Sequence, residues 1–146
     1  IMSTFLLLNG PNLNLLGTRE TEIYGKLSLK EIVINLEKFT MDAGQKLLSF
    51  QSNAEHKLVD RIHEAQGQDI KCIVFNPGAF THSSIALRDA LSGTTTPFIE
   101  VHISNIYSRE DFRQKSFLSD IAFGVISGLG AEGYELALRV AIKKFA

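Results

Sequence analysis

The chain has 146 residues, 45% of them hydrophobic and 21% charged, which is the make-up of one globular domain spanning residues 1–146. A formal net charge of −1 excludes a strongly basic nucleic-acid surface, so any attraction for an anionic ligand must come from local arginines. Cys72 is the only cysteine, so no disulfide can close within the chain, and no apolar run reaches the length of a membrane span.

Ile1 ahead of Met2 is expected to be a vector remnant and is set aside. Phe5–Leu8 is a continuous apolar run that meets Gly10-Pro11 with no basic leader before it, so it predicts a strand and not a signal peptide. The stretch from Asn9 to Gly25 has no regular period, which suggests a functional loop; an exposed connection rich in turn residues is the alternative. Ser28-Leu-Lys-Glu31 is a capping box, followed by apolar residues at 29, 32, 33, 36 and 39 and a stop at Gly44. Leu47–Gln51 predicts a second strand. Ser52-Asn-Ala-Glu55 opens a helix with Leu58, Val59 and Ile62 on one face and Gly67 at its end. Ile70–Phe75 and Phe98–Ile103 predict two further strands with a short helix near Ser84–Leu91 between them; Cys72 is expected to be core, where free cysteine behaves as a small hydrophobe. A charged helical segment, Arg109–Phe117, leads to a fifth strand near Ile121–Ile126. The last helix, Glu132–Phe145, ends on Lys143-Lys144, cations placed where the helix dipole favours them.

This alternation predicts an α/β fold: a flavodoxin-like three-layer α/β/α sandwich around a five-stranded parallel sheet of order 2-1-3-4-5. Ligands in such sheets bind beyond the carboxyl ends of the strands. The chemically capable residues fall there. Asn12, Arg19 and Tyr24 follow the first strand, and Asn76-Pro-Gly-Ala-Phe-Thr-His82 follows the third. Glu100 and His102, two apart in the fourth strand, project from the same face. A glutamate in an apolar strand is costly unless paired, and imidazole is its obvious partner, catalytic or merely structural. Arg109 and Arg113 would share a helix face, and an anionic ligand would relieve their repulsion, unless Glu110 and Asp111 already do so at the surface. His56 and His63, on one helix in polar surroundings, read as solvated. Zinc is disfavoured because no HxxxH or HxH pair occurs.

Taken together, Asn9-Gly-Pro-Asn-Leu-Asn-Leu-Leu-Gly17, Arg19-Glu20 with Tyr24-Gly25, Asn76–His82, Glu100-Val-His-Ile-Ser-Asn105 and Arg109–Phe117 resemble the signature segments of the type II 3-dehydroquinate dehydratases, at every strand end and in the right order. The resemblance implies a cytoplasmic, metal-free and cofactor-free hydro-lyase that converts 3-dehydroquinate to 3-dehydroshikimate through an enolate, in the shikimate pathway or in quinate breakdown. It also implies a dodecamer of four trimers, with no nucleic-acid or membrane partner. Tyr24 would be the general base. A free phenol ionises near ~10, so Arg19, with Arg109 as a second contributor, would favour the phenolate. Asn12 would hold a water against the enolate oxygen, and His102, oriented by Glu100, would protonate the leaving hydroxyl. Asn76, His82 and Arg113 would hold ring hydroxyls, the backbone of Ile103 and Ser104 the carboxylate, and Asp89 would approach the site of a neighbouring subunit. Thr21 departs from the family's proline and puts the order of the loop in question.

Rival readings on this fold fare worse. A flavin carrier needs a Ser/Thr-rich phosphate loop after the first strand, where this chain has Asn and Leu. A receiver domain needs an acidic pair at the end of the first strand and an aspartate at the end of the third, and both positions here carry asparagine. A Schiff-base dehydratase has only Lys26 near a strand-end cluster.

Overall fold

A computed structural model describes residues 1–146. Five strands, β1 (Thr4–Asn9), β2 (Lys46–Gln51), β3 (Ile70–Asn76), β4 (Phe98–His102) and β5 (Gly124–Ser127), form one all-parallel sheet in the order β2-β1-β3-β4-β5. The expected topology is therefore observed. The helices are α1 (Thr21–Tyr24), a single turn, then α2 (Leu29–Asp42), α3 (Glu55–Gly67), α4 (Ile85–Ser92) and α5 (Glu132–Phe145). None is long and apolar enough to cross a membrane.

Successive strand residues point to opposite faces, so an uninterrupted apolar strand feeds two cores. In β1, Phe5 and Leu7 pack with α2 and α5, whereas Leu6 and Leu8 pack with α3 and α4. Cys72 lies in the first of these cores, fully buried, and burial pushes its thiol up to about 12. β4 is built differently. Ile99 and Val101 fill the α2/α5 core, while Phe98, Glu100 and His102 turn to the other face, and Glu100 is wholly buried there.

The loops after β1 and β3 abut. A Cβ on Gly10 would collide with the Pro77 carbonyl, and Gly78, at φ +61°, has its Cβ position 3.0 Å from the Pro11 carbonyl. Glycine at both points lets the loops beyond the two carboxyl ends pack directly against each other.

Three expected elements differ. The Arg109–Phe117 segment forms only a short 3-10 turn at Asp111–Arg113, not an α-helix. The Gln114 side chain donates to the carbonyls of Tyr107 and Arg109, and the arginines turn inward, so side-chain bonds replace the helical ladder. The fifth strand begins at Gly124, because Ser119–Ile121 is a 3-10 turn anchored by Ser119 to Glu100 and by an Asp120–Arg88 ion pair. α3 starts at Glu55 with Ala54 as its cap; the Ser52 hydroxyl instead accepts from the Ala54 N–H, forming a local turn.

Candidate active site

One cavity opens beyond the carboxyl ends of β1, β3 and β4, lined among others by Asn12, Arg19, Tyr24, Asn76, His82 and His102 and by Ile103, Ser104, Arg109 and Arg113. Of the residues expected at the site, only Glu100 and Asp89 do not line it. Glu100 lies beneath His102, and Asp89 is exposed on α4, outside this chain's own cavity. No lysine and no carboxylate lines the wall, which leaves three arginines and two histidines facing a space in a protein of net charge −1. Nowhere do three His, Cys, Asp or Glu side chains gather as a set of metal ligands.

Two guanidinium groups lie against the Tyr24 ring. Arg109 Nη1 donates to Tyr24 Oη at 2.8 Å, and the Arg19 and Arg109 guanidinium carbons lie 4.8 and 5.4 Å from the ring centroid. Arg109 is thus the residue in direct contact with the oxygen. Arg19 approaches the ring face while Nη2 donates to Glu20 Oε2 at 2.8 Å, a bond that pushes the Arg19 guanidinium up and the Glu20 carboxyl down from their ordinary values. Both groups ride on the irregular loop after β1, where Asn12 (φ 67°) and Glu20 (φ 39°) adopt left-handed backbone. Thr21 occupies the first position of α1.

His102 Nε2 meets Glu100 Oε2 at 2.5 Å, so Nδ1 is the ring nitrogen left for a ligand. Glu100 is also the focus of three hydroxyls. Thr81 Oγ1 donates to Oε2 at 2.7 Å and Ser119 Oγ to Oε1 at 2.7 Å, and Ser116 Oγ reaches both oxygens at 3.0 and 3.2 Å. Ser116 Oγ accepts from the Leu118 and Ser119 N–H groups, so it meets the carboxylate and the Thr81 hydroxyl, 3.0 Å away, as a donor. Burial pushes the Glu100 carboxyl up, but hydrogen bonds from His102, Thr81 and Ser119 and the charge on His102 outweigh it and hold the group below the usual carboxylate range. Sequence reasoning missed these hydroxyls. Thr81 and Ser116 fall within the Asn76–His82 and Arg109–Phe117 segments but carry no sign of this contact, and Ser119 lies outside both.

His82 stacks beside His102 with ring centroids 6.4 Å apart. Burial, with the charges of His102 and Arg113, pushes its imidazole down despite the bond between Nδ1 and the Lys115 carbonyl at 2.7 Å. The neutral ring therefore donates from Nδ1 and leaves Nε2 as an acceptor. Arg113 Nε is held by Glu110 Oε1 at 3.0 Å. The Asn12 N–H donates to Asn53 Oδ1, and its side chain makes no capping bond.

A phenol held by arginine and an imidazole backed by a buried carboxylate, in a cationic cavity of a doubly wound sheet, define a small α/β enzyme equipped for acid–base chemistry on an anionic molecule. Residues 3–142 match the family described as Dehydroquinase class II, and the chain belongs to that family. It is 61% identical over 141 residues to the 3-dehydroquinate dehydratase of Thioalkalivibrio sulfidiphilus, covering 97% of this chain and 96% of the relative. With the 3-dehydroquinate dehydratase of Pseudomonas savastanoi pv. phaseolicola it shares 56% identity over 145 residues, covering 99% and 97%. Among solved structures, the type II dehydroquinase from Propionibacterium acnes superposes with a TM-score of 0.93 at 41% identity, covering 98% of this chain and 99% of that one.

Proposed function

We infer that this chain is a type II 3-dehydroquinate dehydratase of the shikimate pathway, acting as one catalytic domain over residues 1–146. The observation that carries the reading is the pairing of Tyr24 with Arg109 in the same cavity that holds His102 on Glu100.

In this reading Tyr24, as phenolate, takes the proton from the carbon next to the substrate ketone. The C–H electron pair moves into the enolate, whose oxygen is met by a water held by Asn12. The enolate then re-forms the ketone. A carbon–carbon double bond forms, the C1–O bond breaks, and His102 gives its proton to the departing hydroxyl, releasing water. One C–H and one C–OH bond are lost, and no redox change occurs. Arg109 donates to the phenol oxygen and the Arg19 guanidinium lies over its ring, so two positive charges stand beside the base. Glu100, kept anionic by its donors, opposes the positive charge of the protonated imidazole. Asn76, His82 and Arg113 hold ring hydroxyls, and the backbone at Ile103 and Ser104 receives the carboxylate.

Homo-oligomerisation belongs to the same reading. Ile85 and Asp89 lie four residues apart on α4 and are both exposed, so that face can bring Asp89 to a neighbour's cavity, as a dodecamer of trimers would require. The proposed setting is the cytoplasm, without nucleic-acid or membrane partners.

The test is incubation with 3-dehydroquinate while following the ultraviolet absorbance of the conjugated product. Steady growth is expected. A folded preparation that leaves the spectrum unchanged would overturn the assignment.

A further inference from the structure

Asn9 and Asn76 end adjacent parallel strands and are paired in register, side by side on the face that α5 covers. Tyr134, in the first turn of α5, is fully buried and bridges them. Its hydroxyl donates to Asn9 Oδ1 at 2.6 Å and accepts from Asn76 Nδ2 at 2.8 Å. On the other side of the same amide, the Gly78 N–H donates to Asn76 Oδ1 at 3.1 Å. Asn76 lines the cavity; Tyr134 and Asn9 do not.

The proton count fixes the direction of every bond. A phenol has one hydrogen, and Asn9 takes it, so Tyr134 can only accept from Asn76. A backbone N–H can only donate, so Gly78 requires oxygen on its side. Both constraints select one orientation of the Asn76 amide. They leave its second N–H as the one hydrogen not yet engaged.

We propose that Tyr134 is a positioning residue that locks the Asn76 amide with its free N–H offered to the ligand, so that this corner of the cavity selects an acceptor oxygen. The assignment rests on the reading that Asn76 holds a ring hydroxyl. Tyr134 keeps its proton throughout, since burial pushes its phenol well up, an effect that the bond from Asn76 only partly offsets. The arrangement therefore does not invert with pH. Without the Tyr134 hydroxyl, or without the Asn9 acceptor that takes its proton, the orientation of the amide rests on the Gly78 N–H alone.

Steady-state kinetics with 3-dehydroquinate on Tyr134→Phe, Asn9→Ala, Asn76→Ala and the Tyr134→Phe/Asn76→Ala double variant test this, with thermal unfolding alongside. KM for Tyr134→Phe should rise by about tenfold, the size of one neutral hydrogen bond. Asn9→Ala should raise KM in the same direction although its side chain lies outside the cavity. The double variant should have the KM of Asn76→Ala alone, because Tyr134 acts through that amide. A purely structural tyrosine would lower the unfolding temperature and leave KM within twofold, or add its full effect on top of Asn76→Ala; either result overturns the assignment. If Tyr134→Phe does not fold, Asn9→Ala decides by the same criterion. Absence of wild-type turnover sinks the functional reading, whereas normal turnover with unchanged KM in the variants sinks this assignment alone.

Discussion

Replacing Glu100 with glutamine removes one charge and almost no volume, from a site where His102, Thr81, Ser116 and Ser119 all point hydrogens at the carboxylate. The glutamine oxygen would stay on the His102 and Thr81 side. Its NH₂ would face Ser119, whose hydroxyl can rotate to accept, and Ser116, whose oxygen already accepts two N–H groups. Each of these donors loses about 1 kcal/mol when its acceptor is no longer charged. The relief of not burying a charge offsets part of that sum. A net destabilisation of about 2 kcal/mol at neutral pH follows. The pH dependence has a definite sign. The folded-state carboxyl is held below its unfolded value, so its contribution is fully present above the unfolded pKa of about 4.3 and fades as pH falls through the folded value. Urea unfolding of wild type and Glu100→Gln between pH 7 and pH 3 should therefore show a gap that closes on acidification. In the same variant kcat should fall, by less than for loss of the imidazole. A Glu100→Gln protein as stable and active as wild type, or a gap that widens in acid, would refute the reasoning.

His102→Ala should lower kcat by about 10²–10⁴-fold, the usual contribution of a general acid, measured by the same ultraviolet assay. Arg109→Ala removes a charged hydrogen bond of about 1.5–3 kcal/mol from the Tyr24 oxygen, so turnover should drop by roughly ten- to a hundredfold. Turnover within twofold of wild type would count against its role. Thr21→Pro places proline at the first position of α1, where its missing N–H costs nothing, and moves Glu20 out of its left-handed backbone, since the residue before proline prefers extended geometry. The exposed Arg19–Glu20 pair lost in that shift is worth little, so slower proteolysis of the Gly17–Lys26 loop is expected, without the stability gain that an unstrained proline brings. Unchanged or faster nicking contradicts this.

The sheet was legible because its signal is local. The run Phe5–Leu8 is apolar at every position, as suits a strand covered on both sides, and Ile70–Phe75 is apolar at every position but Lys71. The two-residue spacing of Glu100 and His102 was enough to place them on one face, and the strand-end rule gathered Tyr24, Asn76 and His82 in one cavity. The contacts that tune the site are not local. Arg109 reaches Tyr24 across 85 residues, Tyr134 reaches Asn9 across 125, and Ser119 reaches Glu100 across 19 without any periodic pattern. The expected helix at Arg109–Phe117 failed for a related reason. Its spacing suited a helix, but its side chains bond to loop carbonyls and to the cavity.

The central claim is that Tyr24 removes the substrate proton. Tyr24→Phe keeps the ring against the two arginines and deletes only the oxygen, and no lysine or carboxylate lines the cavity to replace it. The decisive measurement is kcat for 3-dehydroquinate in Tyr24→Phe, with circular dichroism to establish folding and a product titration to establish binding. A folded variant that binds product nearly normally while kcat falls by several orders of magnitude is the expected result. A folded Tyr24→Phe enzyme turning over within tenfold of wild type would show that another group is the base.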